Sequence, residues 1–590
     1  MPVISGTSGS DHLVGGAGDD TIYAFGGDDT LDGGAGLNSL YGGSGNDTYL
    51  IHSRNDYIYD SSGTDSGTIF VNFYKTNKEV ENWSWAPGVE KLPYWIDSLI
   101  PDEAPGFLAL LGESKVFYYC FAQTAPTHIS TEDAKGFLPF NAAQIAFTKL
   151  AFAYISTVVD LNFVETIDPT GVNTIVLSDN VQTGSAGYAY FPYDGAVGSD
   201  VFLNSQGNSV GNLTPSDGRY AALTLIHELG HALGLKHPFT TVDATGNLDG
   251  GPALPAVEDV TKWSVMSYND SPANYHLKYS PFDIAALQYL YGPSKQVQTD
   301  DTFVLRSDTT NFIWDGGGVD TIDGSSQSKP ITLFLEPGYW GFIGDKASLI
   351  SSAGQITIDF GTVIEKAIGG SGNDYLTGNA ANNVLLGGLG NDVLKGMAGD
   401  DTIDGGAGID TAVYSHNKAD YTISKAAGVF TVNDKLGIDG VDTVLNTERL
   451  QFADVSVAFD INGVAGQCYR LYQSTFNRIP DLAGLGYWIA GMDSGDSLVS
   501  VANNFAIIAG FDANHGSTMT DSTFLTTLYQ NIYHRAPDLD GFNYWLGQLA
   551  DGSQTRATVL IGFSENVGNQ LQVIGRIADG IDYTPYLLHV

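Results

Sequence analysis

Apolar side chains recur every nine residues in two blocks of the chain, and the positions between them are mostly Gly, Asp and Asn. The blocks run from Gly6 to Leu50 and from Gly369 to Val413, and each holds five consecutive nonapeptides. The eighth position is large and apolar in nine of the ten repeats, with Ala412 as the exception. Because each turn needs its neighbours to bury this side chain, the period predicts stacked parallel β-rolls and not a flexible linker.

The sixth position of every nonapeptide is Asp or Asn. Glycine permits the tight, partly left-handed turn, and carboxylates together with turn carbonyls are hard oxygen ligands of the kind that Ca²⁺ prefers. Asn38 and Asn383 are expected to bind more weakly, because they carry no charge. The predicted calcium ligands are the sixth-position carboxylates: Asp11, Asp20, Asp29, Asp47, Asp374, Asp392, Asp401 and Asp410.

Other stretches follow the periods of ordinary strands and helices. Alternating residues in 46–51 and 67–74 predict strands that finish the first roll, and apolar spacing predicts a helix over 141–160. Near the C-terminus, residues 471–488 recur with an offset of 57 as residues 528–545, again with helical spacing. This repeat resembles the helical DUF4214 domain. Its aromatic side chains are interpreted as core, with a binding groove as the alternative.

Composition narrows the function classes. The 590 residues include 26 basic and 67 acidic side chains, a net charge of −41, and 43% are hydrophobic. The hydrophobic content excludes a disordered polyanion, and the charge argues against nucleic acid or an anionic membrane surface as a partner. With 54 Asp against 13 Glu, the acidity points to turns and cation sites. The two cysteines predict no disulfide framework, and neither a Sec-type signal peptide nor a membrane span is expected.

Metal-binding chemistry is concentrated in residues 227–237, which read HELGHALGLKH. On a helix, His227 and His231 share one face, so both imidazoles can reach one metal ion. Glu228 lies beside them and can hold a water molecule at the metal. Gly234 lets the chain leave the helix, so that His237 can supply a third nitrogen. Three nitrogen ligands and one open position are typical of a catalytic zinc site.

This motif is the extended metzincin signature, and two later segments strengthen the resemblance. Residues 263–268 (WSVMSY) are similar to the methionine-containing turn of metzincins, with Met266 beneath the zinc. Residues 280–292 (SPFDIAALQYLYG) resemble the helix that closes the serralysin protease domain. The chain therefore resembles the serralysins, RTX zinc metalloproteases of the metzincin group, over roughly residues 90–460.

The resemblance implies roles for particular residues. It implies one catalytic Zn²⁺ held by His227, His231, His237 and, at rest, Tyr268. Glu228 would be the general base, and Tyr268 would stabilise the oxyanion after leaving the metal. Residues 186–190 would form an edge strand that pairs with substrate. The segment 312–323 would bind further Ca²⁺, with Asp315 and Asp320 as ligands and with Asp308 and Glu365 as additional candidates.

The predicted fold class is multidomain α+β. Its parts are an N-terminal calcium-binding β-roll (1–90), a metzincin zinc protease domain (91–298), a C-terminal RTX β-roll domain (299–461) and an all-α, DUF4214-like domain (462–590). A serralysin usually has a single C-terminal roll, so the N-terminal roll is an addition. It could shield the catalytic cleft, space the protease from a surface or attach it there, and these alternatives stay open.

The predicted function is hydrolysis of peptide bonds by a secreted, calcium-stabilised zinc endopeptidase with one Zn²⁺ and several Ca²⁺. The expected partners are protein or peptide substrates, the type I secretion machinery and cell-surface proteins such as an S-layer. The expected location is extracellular or at the cell surface. A calcium-dependent adhesion or matrix protein whose protease domain is incidental or inactive is the alternative.

Overall fold

The computed structural model describes residues 2–104, 107–111, 114–193, 195, 197–240, 251–270, 273, 275–296, 298–511 and 519–586, with backbone alone for residues 108 and 109. The chain forms two compact units. The first contains Met1–Asp320 and Glu336–Val363, and the second contains Thr321–Leu335 and Ile364–Val590. The predicted division into four domains stays a prediction.

The strands of the first unit come in three groups along the chain. Those of the N-terminal roll are β1 Val3–Ser5, β2 His12–Val14, β3 Thr21–Tyr23, β4 Thr30–Asp32, β5 Ser39–Tyr41, β6 Thr48–Ile51, β7 Tyr57–Tyr59, β8 Ser66–Ile69 and β9 Asn82–Trp85. The next group is β10 Val116–Phe121, β11 Asn162–Glu165, β12 Thr174–Asn180, β13 Gly187–Ala189 and β14 Val201–Asn204. The last is β15 Thr302–Val304, β16 Asn311–Ile313, β19 Gly341–Ile343 and β20 Gln355–Ile358.

The second unit holds the remaining strands: β17 Thr321–Asp323, β18 Ile331–Phe334, β21 Lys366–Ile368, β22 Tyr375–Thr377, β23 Val384–Leu389, β24 Val393–Lys395, β25 Thr402–Ala407, β26 Thr411–Val413, β27 Tyr421–Ala426, β28 Val429–Asp434, β29 Val441–Leu445, β30 Arg449–Gln451, β31 Ser456–Ala458 and β32 Ile581–Tyr583.

Helices divide between the units in the same way. The first unit has α1 Tyr94–Asp97, α2 Phe107–Leu111, α3 Ala142–Val158, α4 Tyr220–Ala232, α5 Pro281–Tyr291 and a 3₁₀ helix at Gly207–Leu213. The second has α6 Val464–Phe476, α7 Leu482–Asp493, α8 Leu498–Ile508, α9 Asp521–Tyr533, α10 Leu539–Ala550, α11 Arg556–Ser564, α12 Val567–Ile577 and a 3₁₀ helix at Lys418–Asp420. None of the described helices combines the length and apolar character needed to cross a membrane.

The N-terminal roll consists of two parallel sheets, with strand orders β1-β3-β5-β7 and β2-β4-β6-β8-β9. Partners in each sheet are two nonapeptides apart, as in the pairing of Leu13 with Leu31 and of Ile22 with Leu40. The eighth-position side chains meet between the sheets, where Ile22, Leu31, Leu40 and Tyr49 are fully buried. This is the predicted β-roll.

Two turns continue the N-terminal roll beyond the repeats recognised in the sequence. They carry β7 and β8, and they place Asp56 and Asp65 at the next two sixth positions, where both side chains are buried. Lys75 then anchors this region to helix α1 of the same unit. Its side chain is 2% exposed, and its ammonium group lies 2.6 Å from the carboxylate of Asp97 in α1.

Between the two groups of roll strands, the first unit has a sheet of strand order β11-β10-β12-β14-β13. All its pairs are parallel except the β13–β14 pair, which puts β13 antiparallel at an edge. Helix α3 begins after Asn141, whose side chain caps the amides of residues 143 and 144, in agreement with the predicted helix. Helices α4 and α5 pack into the same apolar core as the sheet.

The second unit contains the other roll and the helical segment. Parallel pairing runs through β21, β23, β25 and β29 in one sheet and through β22, β24, β26 and β30 in the other. Helices α6 to α8 recur as α9 to α11 at the predicted offset of 57, and their aromatic side chains form a common core. The segment 462–590, predicted to be all-α, is not purely helical, because its strand β32 pairs with β31.

Candidate functional site: a histidine cluster and carboxylate ladders

Helix α4 carries the first two histidines and is buried on nearly all sides. Its apolar side chains, including Leu225, Ile226 and Leu229, pack in the core of the first unit, and this packing fixes the directions of its polar side chains. His227 and His231 are each 9% exposed, one turn apart, and His237 follows on the segment after the helix. The ligand atoms of these three histidines all lie within 4.8 Å of one another.

The three Nε2 atoms converge on one point. His237 Nε2 lies 3.1 Å from His231 Nε2 and 3.3 Å from His227 Nε2. His227 Nδ1 donates to the carbonyl of Val265 at 2.8 Å, and His231 Nδ1 donates to the carbonyl of Leu235 at 2.7 Å. Because a carbonyl can only accept, the Nε2 atoms of these two histidines keep their lone pairs. Adjacent lone pairs repel each other, so this arrangement fits a metal cation and the three nitrogens of a catalytic zinc site.

Burial also keeps the imidazoles neutral. It lowers the pKa of His227 to about 4 and that of His237 to about 3, and it lowers the pKa of His231 well below its ordinary value. A neutral imidazole is the form that binds a metal, so no proton has to leave these residues at neutral pH.

Two glycines allow the histidines to come together. A Cβ at Gly230 would lie 2.6 Å from Met266 Sδ, so the glycine lets the buried methionine pack directly against the helix. Gly234 has a φ of 101°, a left-handed conformation that turns the chain out of the helix toward His237. Met266 is fully buried, as predicted for the turn beneath the histidines.

Asp283 supports that turn, although the sequence analysis gave it no role. Its carboxylate accepts from Ser264 Oγ at 2.6 Å and from Val265 N at 2.8 Å. Since the Val265 carbonyl in turn accepts from His227, the carboxylate orients an imidazole through a single residue, Val265. Burial raises the pKa of Asp283 to about 7.

Glu228 lies in a cleft of about 340 Å³ beside the histidines. The cleft is lined by residues 184–187, by Tyr220, Leu223, Thr224, His227 and Glu228 of α4, and by Ser267, Tyr268 and Asp270. Glu228 is 5% exposed, and its Oε2 has no hydrogen-bond partner within the described residues. Burial raises the pKa of Glu228 to about 8, which makes its carboxylate a stronger base than usual.

Tyr268 stands at the mouth of the cleft and is 70% exposed. Its ring centre lies 4.6 Å from that of His237 and 5.9 Å from that of His227, and it also contacts Phe239 at 5.0 Å. The structure therefore brings the predicted tyrosine beside the histidine cluster.

The predicted edge strand borders the same cleft. Strand β13 passes so close to α4 that a Cβ at Gly187 would lie 2.8 Å from Glu228 Cγ. The described residues of the N-terminal roll do not line the cleft, so the structure gives no support to the roll as a plug.

Carboxylates at the sixth repeat positions form ladders along both rolls. At Asp29, Asp47, Asp392, Asp401 and Asp410, one oxygen accepts from the backbone N–H of the residue 18 positions earlier, as in Asp29 N to Asp47 Oδ1 at 2.8 Å and Asp392 N to Asp410 Oδ1 at 2.8 Å. The second oxygen is buried without a partner, as far as the chain is described, at Asp29, Asp47, Asp392, Asp401 and Asp410. Buried carboxylate oxygens of this kind fit a hard cation such as Ca²⁺.

The other predicted sixth-position ligands are engaged differently. The Oδ2 atoms of Asp11, Asp20 and Asp374 accept backbone N–H groups of their own turns, from Thr7, Gly16 and Gly370. At position 38 an amide takes the place of the carboxylate, and Asn38 Nδ2 donates to Asp56 Oδ1 at 2.7 Å.

Two carboxylate clusters include residues that the sequence analysis did not name. Asp60 and Asp65 join Asp47 at the end of the N-terminal roll, and Asp301 joins Asp315 and Asp320. Continuing the nine-residue count past Asp47 would have found Asp56 and Asp65. No period in the sequence indicates Asp60 or Asp301.

The remaining candidates lie elsewhere. Asp308 is exposed and forms an ion pair with Arg306 at 2.9 Å, and the cluster at Asp301 does not include it. Glu365 belongs to the second unit, where its carbonyl accepts from Val384 N at 2.8 Å. Assignment of these and the other site residues to metals stays a prediction.

Comparison with known proteins agrees with this geometry. The RTX calcium-binding nonapeptide repeat family matches residues 5–40, 25–50, 364–394 and 377–412, and the domain of unknown function DUF4214 matches residues 502–573. Serralysin G of Dickeya chrysanthemi is 34% identical over 297 residues, which are 46% of this chain and 60% of that protein. A serralysin of Photorhabdus laumondii is 32% identical over 294 residues, 45% of this chain and 60% of its own length.

Metalloprotease AprA of Pseudomonas entomophila is 30% identical over 296 residues, 44% of this chain and 58% of its own. The chain thus spans about 60% of the length of the curated relatives that it matches. The fold class predicted from the sequence is confirmed, with RTX-type rolls and a helical C-terminal region. The chain is therefore a relative of the serralysins that carries RTX calcium-binding repeats and a DUF4214 segment.

Proposed function

We propose that the protein is a zinc endopeptidase that hydrolyses peptide bonds of protein substrates. The observation that supports this most directly is the convergence of three neutral imidazoles, two of them buried, beside a buried carboxylate in an open cleft. A structural zinc site is usually closed by four protein ligands, whereas three nitrogens with space beside them leave a position for reacting groups.

His227, His231 and His237 would hold the metal through Nε2. When bound there, zinc would supply Lewis-acid chemistry, lowering the pKa of water and polarising the scissile carbonyl. Glu228 would remove the proton from the attacking water and deliver it to the leaving amine, because its side chain lines the cleft and burial makes its carboxylate more basic than an exposed one. Tyr268 would donate a hydrogen bond from its phenolic hydroxyl to the oxyanion, without transfer of the proton.

Substrate would lie along β13 in an extended conformation. Asn204 N donates to Ala186 O at 2.9 Å, and Tyr190 N donates to Asp200 O at 3.1 Å, so the even-numbered residues of this segment bond to the neighbouring strand. In an antiparallel pair the alternate residues face the other way, which directs the backbone of Gly187 and Ala189 to the open edge. A peptide can add there as a further strand.

Calcium would stabilise the rolls after export. The relatives and the repeats support a secreted protein, and we propose type I secretion as the route and an extracellular or cell-surface location. We also propose bacterial surface proteins, including S-layer proteins, as substrates, because the added N-terminal roll and the DUF4214 segment enlarge the protein beyond a protease with a single roll.

A casein assay tests the proposed activity. The purified protein in calcium should cleave casein, lose this activity to a zinc-selective chelator and regain it when zinc is restored. Since calcium is kept constant, the loss cannot come from unfolding of the rolls. A protein that binds zinc and leaves casein intact would contradict the peptidase and favour the adhesion alternative.

Replacement of Tyr268 by phenylalanine should lower kcat by about a hundredfold, as expected for loss of an oxyanion donor, and should change KM less. The ring and its contacts with His237 and Phe239 are kept, so only the hydroxyl group is tested. Tyr118→Phe is the matched control, because Tyr118 is an exposed tyrosine of β10 that does not line the cleft. An unchanged kcat in Tyr268→Phe would remove this residue from the mechanism.

A further inference from the structure

One buried carboxylate holds the outer face of the edge strand. Tyr188 OH donates to Asp133 Oδ1 at 2.6 Å, and Tyr190 OH lies 3.3 and 3.2 Å from Asp133 Oδ1 and Oδ2. Asp133 belongs to a loop before α3 and is 6% exposed. Tyr188 of β13 and Tyr190, which directly follows the strand, therefore converge on a single carboxylate from a distant part of the sequence.

The rest of the network fixes Asp133 itself. Ser130 donates to Asp133 Oδ2 from both its backbone N and its Oγ, at 3.2 and 2.7 Å. Asn180 Nδ2 donates to Tyr188 OH at 2.9 Å and to the Asp133 carbonyl at 3.1 Å. The ring of Tyr188 also stacks on Phe202 of β14 at 5.1 Å. The carboxylate has little freedom to move, so the strand that it holds has little freedom either.

The opposite face of β13 lies against Glu228 of α4. Side chains alternate along a strand, so Gly187 points away from the two tyrosines and toward α4. Its missing side chain is what allows the approach, since a Cβ there would lie 2.9 Å from Glu228 Oε1. Strand β13 is thus enclosed between Glu228 on one face and the tyrosines bound to Asp133 on the other.

We propose that Asp133 is a positioning residue that sets the distance of the edge strand from Glu228, so that an extended peptide pairing with β13 presents its scissile bond to the cleft. The proposal rests on the proposed peptidase function. It assigns Asp133 no contact with substrate, and its effect should depend on how much of the substrate lies along the strand.

Asp133→Asn tests this. The amide keeps the size of the carboxylate but replaces one acceptor by a donor and removes the charge that both phenols face. For an extended peptide that covers the strand, KM should rise about tenfold while kcat stays near the wild-type value, as expected when hydrogen bonds to a charged acceptor are lost. For a blocked dipeptide amide, which reaches only the scissile bond, both constants should stay close to those of the wild type.

The controls separate strand positioning from folding of the loop. Glu132→Gln removes a neighbouring negative charge from a side chain that is 82% exposed, and it should leave both substrates unaffected. The double variant Tyr188→Phe, Tyr190→Phe keeps Asp133 and its Ser130 bonds, and it should reproduce the rise in KM for the extended peptide. Adding Asp133→Asn to that double variant should cause little further change, because the shared contacts are already gone.

Each contrary outcome is distinct. Equal losses on both substrates, or a full additional effect of Asp133→Asn in the double variant, would mean that Asp133 only stabilises its loop. An unchanged KM in the double variant would overturn the proposal even if Asp133→Asn did not fold. A wild-type protein inactive on both substrates would instead contradict the peptidase function and this proposal with it.

Discussion

Replacement of Glu228 by alanine is expected to leave zinc bound and to lower kcat for peptide hydrolysis by about a thousandfold, the scale of a lost general base. The three histidines and their bonds to Val265 and Leu235 do not involve Glu228, so the metal site should persist. Among the described residues that line the cleft, two are acidic, and Glu228 is buried whereas Asp270 is exposed. Zinc content and casein cleavage, measured on the same preparation, check the prediction.

Glu228→Gln is the conservative partner of that variant. It keeps the shape of the buried side chain and removes its basicity, so its activity should fall as far as that of the alanine variant. Glu165→Gln serves as the surface control, because Glu165 is exposed and pairs with Lys149 at 2.7 Å away from the cleft. Near wild-type cleavage by either Glu228 variant, with zinc still bound, would contradict the assigned role of Glu228.

Regular periods explain why much of the fold could be predicted from the sequence. A nine-residue repeat fixes which side chain enters the narrow core, and Leu376, Leu385, Leu394 and Ile403 are all fully buried as that rule requires. The spacing of His227 and His231 on a helix likewise follows from local geometry. In such cases the spacing along the chain already determines which side chains meet.

Residues that act across the fold leave no such pattern. Asp283 supports the turn at Val265, and Asp133 holds β13, yet each partner lies many residues away and the acidic residue stands in an ordinary polar context. Asp60 stands at the first repeat position, which is glycine in most repeats. Its carboxylate lies near Asp47 although the repeat pattern predicts no acidic residue there. These contacts depend on how the strands and helices pack, which the sequence pattern alone does not specify.

Asp401→Asn should weaken the stabilisation of the second unit by calcium while leaving its calcium-free form at least as stable. The amide can keep the bond from Asn383 N to Asp401 Oδ1 at 2.7 Å, so the loss is confined to the charged second oxygen. Burial raises the pKa of Asp401 to about 6, which reflects the cost of keeping this charge without a cation. A neutral side chain removes that cost, and it also removes a calcium ligand.

The expected size follows from linkage. A hundredfold loss of affinity at one site that was filled at a hundred times its Kd removes about 2.3 kcal/mol of calcium-dependent stability, because the variant site is still half-filled at the same calcium concentration. For a unit of this size, this lowers the unfolding temperature at that calcium concentration by roughly 5–9 °C. Thermal unfolding of wild type and variant, measured with and without calcium, gives the rise in unfolding temperature that calcium causes in each protein.

Asp400→Asn is the matched control, one residue away. Asp400 is exposed, and its Oδ1 accepts from Val441 N at 2.9 Å, a bond that asparagine can also make. Its change of charge equals that of Asp401→Asn, but it removes no buried oxygen, so it should keep the full stabilisation by calcium. If both variants respond to calcium alike, the ladder of buried carboxylates is not where the cation acts, because charge on the surface of the roll would then account for the effect.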